Sequence, residues 1–218
     1  YIIVDGGSTD GTLDVVSKYK DIVTLIVSEP DDGIYHAMNK GLWLATSEYF
    51  GILNSDDVLF DRDVISDLKK ASYESPSIIY GNICYRARES HDIVRDWRTG
   101  HGQLQDFEKG WHPPHTGFFA KTSLCKVVGG FDQSMEVAAD FDFMLKVFSE
   151  AGNKKAVWLN RYICLMREGG LSGGSFRSIL KGNNEIRRSL RSHGLRGSLM
   201  YTIKRLGIKV LGRIRGYL

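Results

Sequence analysis

The sequence has few of the residues that mark secreted or fibrous proteins. Only four of its 218 residues are proline and only three are cysteine. The cysteines are odd in number and lack CxxC spacing, so neither a disulfide framework nor a zinc knuckle is predicted. No apolar run approaches the roughly 18 residues of a membrane-spanning helix, and the opening YIIVDGG has no signal-peptide pattern. We therefore expect a protein of the reducing cytoplasm.

The composition is that of a globular protein, with 42% hydrophobic and 25% charged residues. Domains usually contain roughly 100–200 residues, which favours one main domain, residues 1–165, with an appendage, residues 166–218. Residues 166–218 hold 12 basic and 2 acidic side chains, whereas residues 1–165 hold 17 basic and 24 acidic ones. A basic segment on an acidic body favours a polyanionic partner, either a nucleic acid or an anionic membrane surface.

The basic segment also has a helical pattern from Phe176 onward. Apolar residues recur there among lysines and arginines: Ile179, Ile186, Leu190, Leu199, Ile203, Leu206, Val210 and Ile214. This pattern predicts an amphipathic helical tail on an anionic membrane surface, and a solvated helix packed on the body is the alternative. The tail has few aromatic residues for base stacking, so no nucleic-acid partner is expected.

The first 60 residues predict a βαβαβ unit. Short apolar runs at residues 1–4, 22–27 and 49–53 alternate with helical patterns after Asp10 and from Ile34. Such alternation predicts a largely parallel sheet whose functional loops follow the carboxyl ends of the strands. Because the pattern opens directly on a buried strand, we expect an N-terminal unit to be missing.

The remaining sequence predicts further strands and helices of the same α/β class. Helices are expected from Val64, at 139–148 and from Phe176; strands at 78–80, 116–120 and 157–164; a hairpin at 82–97; and a loop-rich insertion at 98–115.

The loop DGGSTDGT, residues 5–12, follows the first predicted strand. Its small residues let backbone amides approach a ligand, and Asp5 is placed to accept hydrogen bonds from a base or ribose. The alternative is a tight turn in which Asp10 caps a helix.

The run NSDD, residues 54–57, follows the predicted strand YFGIL. Adjacent carboxylates at a strand end suit a hard divalent cation that bridges to a diphosphate. An acidic turn with a helix cap is the alternative.

Two further segments carry candidate catalytic groups. An aspartate in the first turn of the helix at 139–148 either caps the helix or acts as a general base. Asp140 and Asp142 are two residues apart, so at most one of them points into a site. His115, in WHPPHTGFF, is a candidate metal ligand, phosphate contact or base, or a structural residue.

Taken in order, five segments resemble family 2 glycosyltransferases with the GT-A fold, in the branch that builds bacterial surface polysaccharides. They are IIVDGGSTDGT (2–12), SEPDDGIYHAMNKGL (28–42), YFGILNSDDVLF (49–60), HTGFFAKTSL (115–124) and GGFDQSMEVAADFDFMLKV (129–147). The resemblance implies a Rossmann-like, mostly parallel sheet flanked by helices. The family's first strand has no counterpart here.

The resemblance also implies a reaction. A sugar would pass with inversion from a nucleotide-diphosphate donor, by family frequency a UDP-sugar, to a saccharide or polyprenyl-linked acceptor. The reaction would take place at the inner face of the cell membrane and would use Mn²⁺ or Mg²⁺ as the cofactor. Asn54 replaces the family's usual aspartate and Ala139 replaces its first acid. A non-catalytic nucleotide-sugar-binding or scaffold protein is therefore the alternative.

The resemblance assigns roles to individual residues. Asp140 matches the catalytic base, which would take the acceptor's hydroxyl proton. The implied donor-binding residues are Asp5, Gly6, Ser8, Asp31, Asp32, Gly33, Asn39, Lys40, Asn54 and Ser55. Asp56 matches the metal ligand, with Asp57 as an assisting neighbour and His115 as a further metal candidate.

Overall fold

The structure, a computed structural model, describes residues 1–90, 92–152, 156–169 and 176–196. The strands in these ranges are β1 Ile2–Asp5, β2 Leu25–Ser28, β3 Tyr49–Gly51, β4 Val58–Leu59, β5 Ile78–Arg86, β6 Ile93–Trp97, β7 Phe118–Lys121 and β8 Ala156–Arg167. The α-helices are α1 Thr12–Ser17, α2 Ile34–Leu44, α3 Val64–Ser72, α4 Thr122–Val127, α5 Ala139–Ala151 and α6 Phe176–Ser192. The predicted α/β class is confirmed.

The first two strands form a parallel pair, as their apolar runs predict. Asp5 at the end of β1 lies opposite Ser28 at the end of β2. The helix α2 packs on β1, where Gly41 approaches Val4. This arrangement puts the loop after β1 and the turn before α2 at the same edge of the sheet.

The larger sheet is mixed rather than uniformly parallel. Its strands follow the order β3-β7-β5-β8-β4, with β6 paired to β5. Only β5 and β8 run parallel in this sheet, and β3 pairs antiparallel with β7. The local pattern predicts β3 as a strand. Its partner strand, β7, lies about 70 positions further along the chain. Periodicity predicts which segments are strands but not which strands pair.

The strand β5 separates two apolar cores. Ile78 and Tyr80 face the main core, whereas Ile79 packs against Val64 and Leu68 of α3 on the opposite face. This is the alternation expected of a strand that is covered on both sides. Three free cysteines, Cys84, Cys125 and Cys164, are buried in β5, α4 and β8.

The main core is built on an aromatic cluster around Phe148 of α5. Phe148 is fully buried, and its ring lies 5.3–6.2 Å, centroid to centroid, from the rings of Tyr80, Phe107, Trp111 and Phe118. Phe107 and Trp111 belong to the predicted loop-rich insertion. The insertion is therefore anchored in the core by two aromatic side chains.

The helix α6 belongs to the segment that the sequence sets apart as a basic tail. Its Ile186 and Leu190 are buried in the main core, while Arg177, Arg188 and Arg191 are exposed. The apolar face of α6 thus packs on the body, as in the alternative considered for the tail. The tail residues Leu199, Ile203, Leu206, Val210 and Ile214 lie outside the described residues. None of the helices in the described ranges has the length and apolarity needed to cross a bilayer.

Candidate active site

The carboxylate of Asp5 organises the loop after β1. It accepts hydrogen bonds from the backbone N–H groups of Gly7 (3.1 Å) and Ser8 (3.0 Å) and from the hydroxyls of Ser8 and Ser28, the last at 2.6 Å. The Ser28 hydroxyl, followed by Ser8, lowers the pKa of Asp5 to about 2. Asp5 is therefore ionised at neutral pH and fixes the loop that the sequence predicts to hold the nucleotide.

The turn before α2 lies directly against this loop. A Cβ added at Gly6 would lie 2.7 Å from Asp31 Oδ2, so a larger residue there would displace the Asp31 carboxylate. Asp31 Oδ1 accepts a hydrogen bond from the N–H of Gly33 (2.9 Å), whose φ of 110° favours glycine. The structure thus brings together the predicted donor residues of the two segments.

Lys40 and Asn39 support this turn from α2. The Lys40 ammonium pairs with Glu29 Oε1 at 2.8 Å and donates to the carbonyl of Pro30 at 3.0 Å. The buried Asn39 amide donates to the carbonyl of Phe131 and accepts from its N–H, both at 2.8 Å. In this structure the Asn39 side chain therefore ties α2 to the segment that leads into α5. Asp32 is exposed, and its backbone N–H donates to the ring of His36.

The loop after β3 holds one buried and one exposed carboxylate. Asp57 is buried, and its Oδ1 accepts from the Arg167 N–H while its Oδ2 accepts from Asn54 Nδ2, both at 3.0 Å. Burial raises the pKa of Asp57, and these two hydrogen bonds oppose the rise. Asp56 and Ser55 are exposed. The two neighbouring carboxylates are thus in different environments.

His115 connects this loop to α5. Asn54 Nδ2 lies 3.1 Å from His115 Nε2, and His115 Nδ1 lies 3.5 Å from Asp140 Oδ2. The amide nitrogen of Asn54 is a donor, so Nε2 of His115 serves as its acceptor, and Nδ1 is the ring nitrogen that faces Asp140. A line of polar contacts therefore runs from Asp57 through Asn54 and His115 to Asp140.

Asp140 and Asp142 lie on different sides of α5, as their spacing predicts. Asp140 is 30% exposed, and its Oδ1 accepts from the N–H of Phe141 at 2.8 Å. Asp142 is buried, accepts from the Ser189 hydroxyl at 2.6 Å and pairs with Lys146 at 2.7 Å. Of the two, Asp140 is the carboxylate next to His115.

Tyr35 of α2 is a site residue that the sequence reasoning missed, although it lies inside a quoted segment. Burial, followed by the charge of Asp140, raises its pKa. Hydrogen bonds from the N–H groups of Ala139 and Asp140 to its phenol oxygen oppose that rise. Tyr35 is two residues from Gly33, so it places the turn before α2 beside the start of α5. Tyr35 is not among the apolar residues at helical spacing that predict α2, so the sequence pattern gave no distinct signal for it.

The loop after β3 offers a divalent ion one exposed carboxylate. Within the described ranges, no three His, Cys, Asp or Glu side chains form a ready cluster for a metal. Both Asp57 oxygens accept hydrogen bonds, and His115 Nε2 faces Asn54. Asp56 is the exposed carboxylate of this loop. One carboxylate together with donor phosphates and water is a usual arrangement for Mg²⁺.

Known proteins share both the sequence pattern and the fold. Residues 1–129, more than half of the chain, match the family described as Glycosyl transferase family 2. A PGL/p-HBAD biosynthesis glycosyltransferase of Mycobacterium tuberculosis is 29% identical over 156 residues, covering 68% of this chain and 57% of that protein. An uncharacterized glycosyltransferase of the same species is 30% identical over 148 residues, covering 67% and 56%. The chain thus spans just over half the length of these relatives.

Solved structures extend the likeness across most of the chain. TarS of S. aureus (residues 1–349), in complex with UDP-GlcNAc, has a TM-score of 0.66 at 17% identity, covering 87% of this chain and 56% of that one. The mannosyltransferase PcManGT from Pyrobaculum calidifontis, in complex with GDP-Man and Mn²⁺, has a TM-score of 0.58 at 19% identity, covering 88% and 53%. With a matching family over more than half its length and this shared GT-A fold, the chain belongs to glycosyl transferase family 2.

Proposed function

We propose that this protein transfers a sugar, with inversion, from a nucleotide-diphosphate sugar to a hydroxyl acceptor. The observation that carries the proposal is the line of contacts from Asp57 through Asn54 and His115 to Asp140. It joins the loop suited to the diphosphate to a partly exposed carboxylate suited to a base. Tyr35 brings the turn before α2, which we assign to donor binding, next to Asp140.

The chemistry is a single displacement. Asp140 takes the proton of the acceptor hydroxyl while that oxygen forms a bond to the anomeric carbon. The bond from the anomeric carbon to the diphosphate oxygen breaks, and its electron pair leaves with the diphosphate. His115 Nδ1 lies 3.5 Å from Asp140 Oδ2 and so keeps the carboxylate beside the loop after β3.

We assign the divalent ion, Mn²⁺ or Mg²⁺, to Asp56. When bound, the ion would supply positive charge for the departing diphosphate. Asp57, held by Arg167 and Asn54, fixes the loop behind Asp56. His115 acts on Asp140 in this proposal rather than as a metal ligand.

The finer assignment of substrates rests on the relatives. We propose a UDP-sugar donor, because TarS, which has the higher TM-score of the two structures, is solved with UDP-GlcNAc. PcManGT is solved with GDP-Man, so a GDP-sugar is the alternative donor. We propose a saccharide or polyprenyl-linked acceptor in surface-polysaccharide synthesis, at the cytoplasmic face of the cell membrane. The relative named as a PGL/p-HBAD biosynthesis glycosyltransferase gives precedent for a role in a biosynthetic process.

Calorimetric titration with UDP, GDP and TDP, with and without Mn²⁺, tests the donor site. We expect Mn²⁺ to strengthen binding of one nucleotide at least tenfold, and Asp56→Asn to abolish that gain because it removes the carboxylate charge. Asp21→Asn, an exposed change outside the site, is the control and should bind as the native protein does. Equal binding with and without Mn²⁺ in all three proteins would contradict the assignment of the ion.

We also propose that the exposed arginines of α6 contact an anionic membrane. Because Ile186 and Leu190 pack on the body, α6 would dock by charge and not by burying its apolar face. Each basic residue near such a surface contributes about 1 kcal/mol. The double variant Arg177→Ala/Arg191→Ala should therefore bind phosphatidylglycerol vesicles about 30-fold more weakly in sedimentation. Equal binding by the variant, or equal binding to phosphatidylcholine vesicles, would contradict docking through these residues.

A further inference from the structure

The helix α6 places one acidic side chain against the start of α5. Glu185 is only 8% exposed and is one of the two acidic residues among residues 166–218. Its Oε1 accepts from the N–H of Glu136 at 3.0 Å. Its Oε2 accepts from the N–H groups of Val137 (3.0 Å) and Ala138 (2.9 Å). One carboxylate thus holds the three consecutive backbone amides that immediately precede α5.

The next three amides face other groups. The phenol oxygen of Tyr35 lies beside the N–H groups of Ala139 and Asp140. The N–H of Phe141 donates to Asp140 Oδ1. The first amides of a helix lack partners within the helix and need them from elsewhere. Tyr35 of α2 faces the first two amides of α5, Asp140 itself accepts from the third, and Glu185 of α6 holds the three amides that precede the helix.

Other contacts hold α6 in register with this segment. Lys181 pairs with Glu136, and Arg188 Nη2 lies 3.9 Å from Asp132 Oδ2. One turn after Glu185, the Ser189 hydroxyl donates to the buried Asp142. These contacts keep α6 in place beside this segment. A change in the Glu185 side chain would therefore alter its hydrogen bonds to the backbone of residues 136–138.

We propose that Glu185 is a positioning residue for Asp140. The inference rests on the proposed function, in which Asp140 is the base. A base must lie within hydrogen-bond reach of the proton it takes, and a displacement of about 1 Å can cost a hundredfold in rate. By holding the amides of residues 136–138, the carboxylate fixes where α5 begins and so where Asp140 points.

Glu185→Gln tests this role with little change of shape. Glutamine keeps one acceptor oxygen, but its NH₂ group faces a backbone N–H that the carboxylate had satisfied. The assay is release of nucleoside diphosphate from UDP-GlcNAc or GDP-mannose with water as acceptor, using whichever donor is turned over faster. We expect kcat to fall at least tenfold, with the donor KM within twofold. Glu185→Asp, which keeps the charge, should recover part of the loss.

Ser189→Ala is the matched control. It removes a buried hydrogen bond from the same interface, but one that leads to Asp142 and not to the backbone before Asp140. Both variants should lower Tm, and only Glu185→Gln should lower kcat. An unchanged kcat in Glu185→Gln, or an equal loss in Ser189→Ala, would overturn the proposal.

Hydrogen exchange on the native protein gives a second test that does not depend on turnover. The amides of residues 136–138 should exchange as slowly as those in the middle of α5, because Glu185 holds them. Exchange at the rate of an exposed loop would overturn the role of Glu185. By contrast, full turnover in Asp140→Asn would refute the base assignment and leave the exchange result intact.

Discussion

Replacing Asp140 by asparagine should reduce turnover by about 10²–10⁴-fold, which is the usual contribution of a general base. Asparagine keeps the size of the side chain but cannot accept the acceptor's proton at neutral pH. The carboxylate lies at the start of α5, next to His115, whereas the carboxylate of Asp5 holds the loop after β1. Donor binding, measured by calorimetry, should therefore stay within a few-fold of the native value.

Asp142→Asn is the control for this change, because it makes the same substitution on the same helix. Asp142 is buried against Ser189 and Lys146, so the variant should lose stability and keep the kcat of the folded fraction. Turnover above one tenth of native in Asp140→Asn would exclude Asp140 as the base. If the native protein binds a nucleotide yet turns over no sugar donor, the non-catalytic alternative raised by Asn54 and Ala139 is correct.

Phe148→Ala should have the largest effect on stability. Phe148 is fully buried and contacts four aromatic rings. Truncating such a side chain costs about 3–5 kcal/mol, against a total stability of about 5–15 kcal/mol for a folded domain. Urea unfolding followed by tryptophan fluorescence measures the loss, because Trp111 lies in the same cluster.

Tyr73→Ala provides the comparison. Tyr73 is 74% exposed, and a surface change of this kind usually alters stability by less than about 0.5 kcal/mol. A loss below about 1 kcal/mol in Phe148→Ala would mean that the cluster repacks around the gap, contrary to the usual cost of a large core truncation.

Local pattern predicted most elements of the fold. The helices α2 and α5 follow apolar residues at helical spacing, and the hairpin of β5 and β6 follows alternation between residues 82 and 97. The pairing of β3 with β7 was not predictable, because strand partners depend on tertiary packing between distant segments. The short helix α4 was also missed, since six residues give too little periodicity.

The candidate site was predicted in part for the same reason. The motifs around Asp5, Asp56 and Asp140 are visible because each is local and lies at an element end. Their convergence is not local: His115 lies 61 positions from the Asn54 it contacts. Glu185 lies 47 positions from the Ala138 amide it holds. Glu185 is one of only two acidic residues in the basic segment 166–218. That contrast was the available sign, but the sequence alone does not identify the partner of Glu185.

The three buried thiols allow the opening of the folded chain to be followed by cysteine labelling. Burial, followed by the negative charge of Asp57, raises the pKa of Cys164 to about 12, and burial alone raises that of Cys125 to about 12. Since the thiolate is the reactive form, alkylation requires the chain to open. Cys84 and Cys164 lie on neighbouring strands β5 and β8, so their labelling rates time the separation of the larger sheet. The β1–β2 pair carries no cysteine, so cysteine labelling would not detect the separation of these two strands.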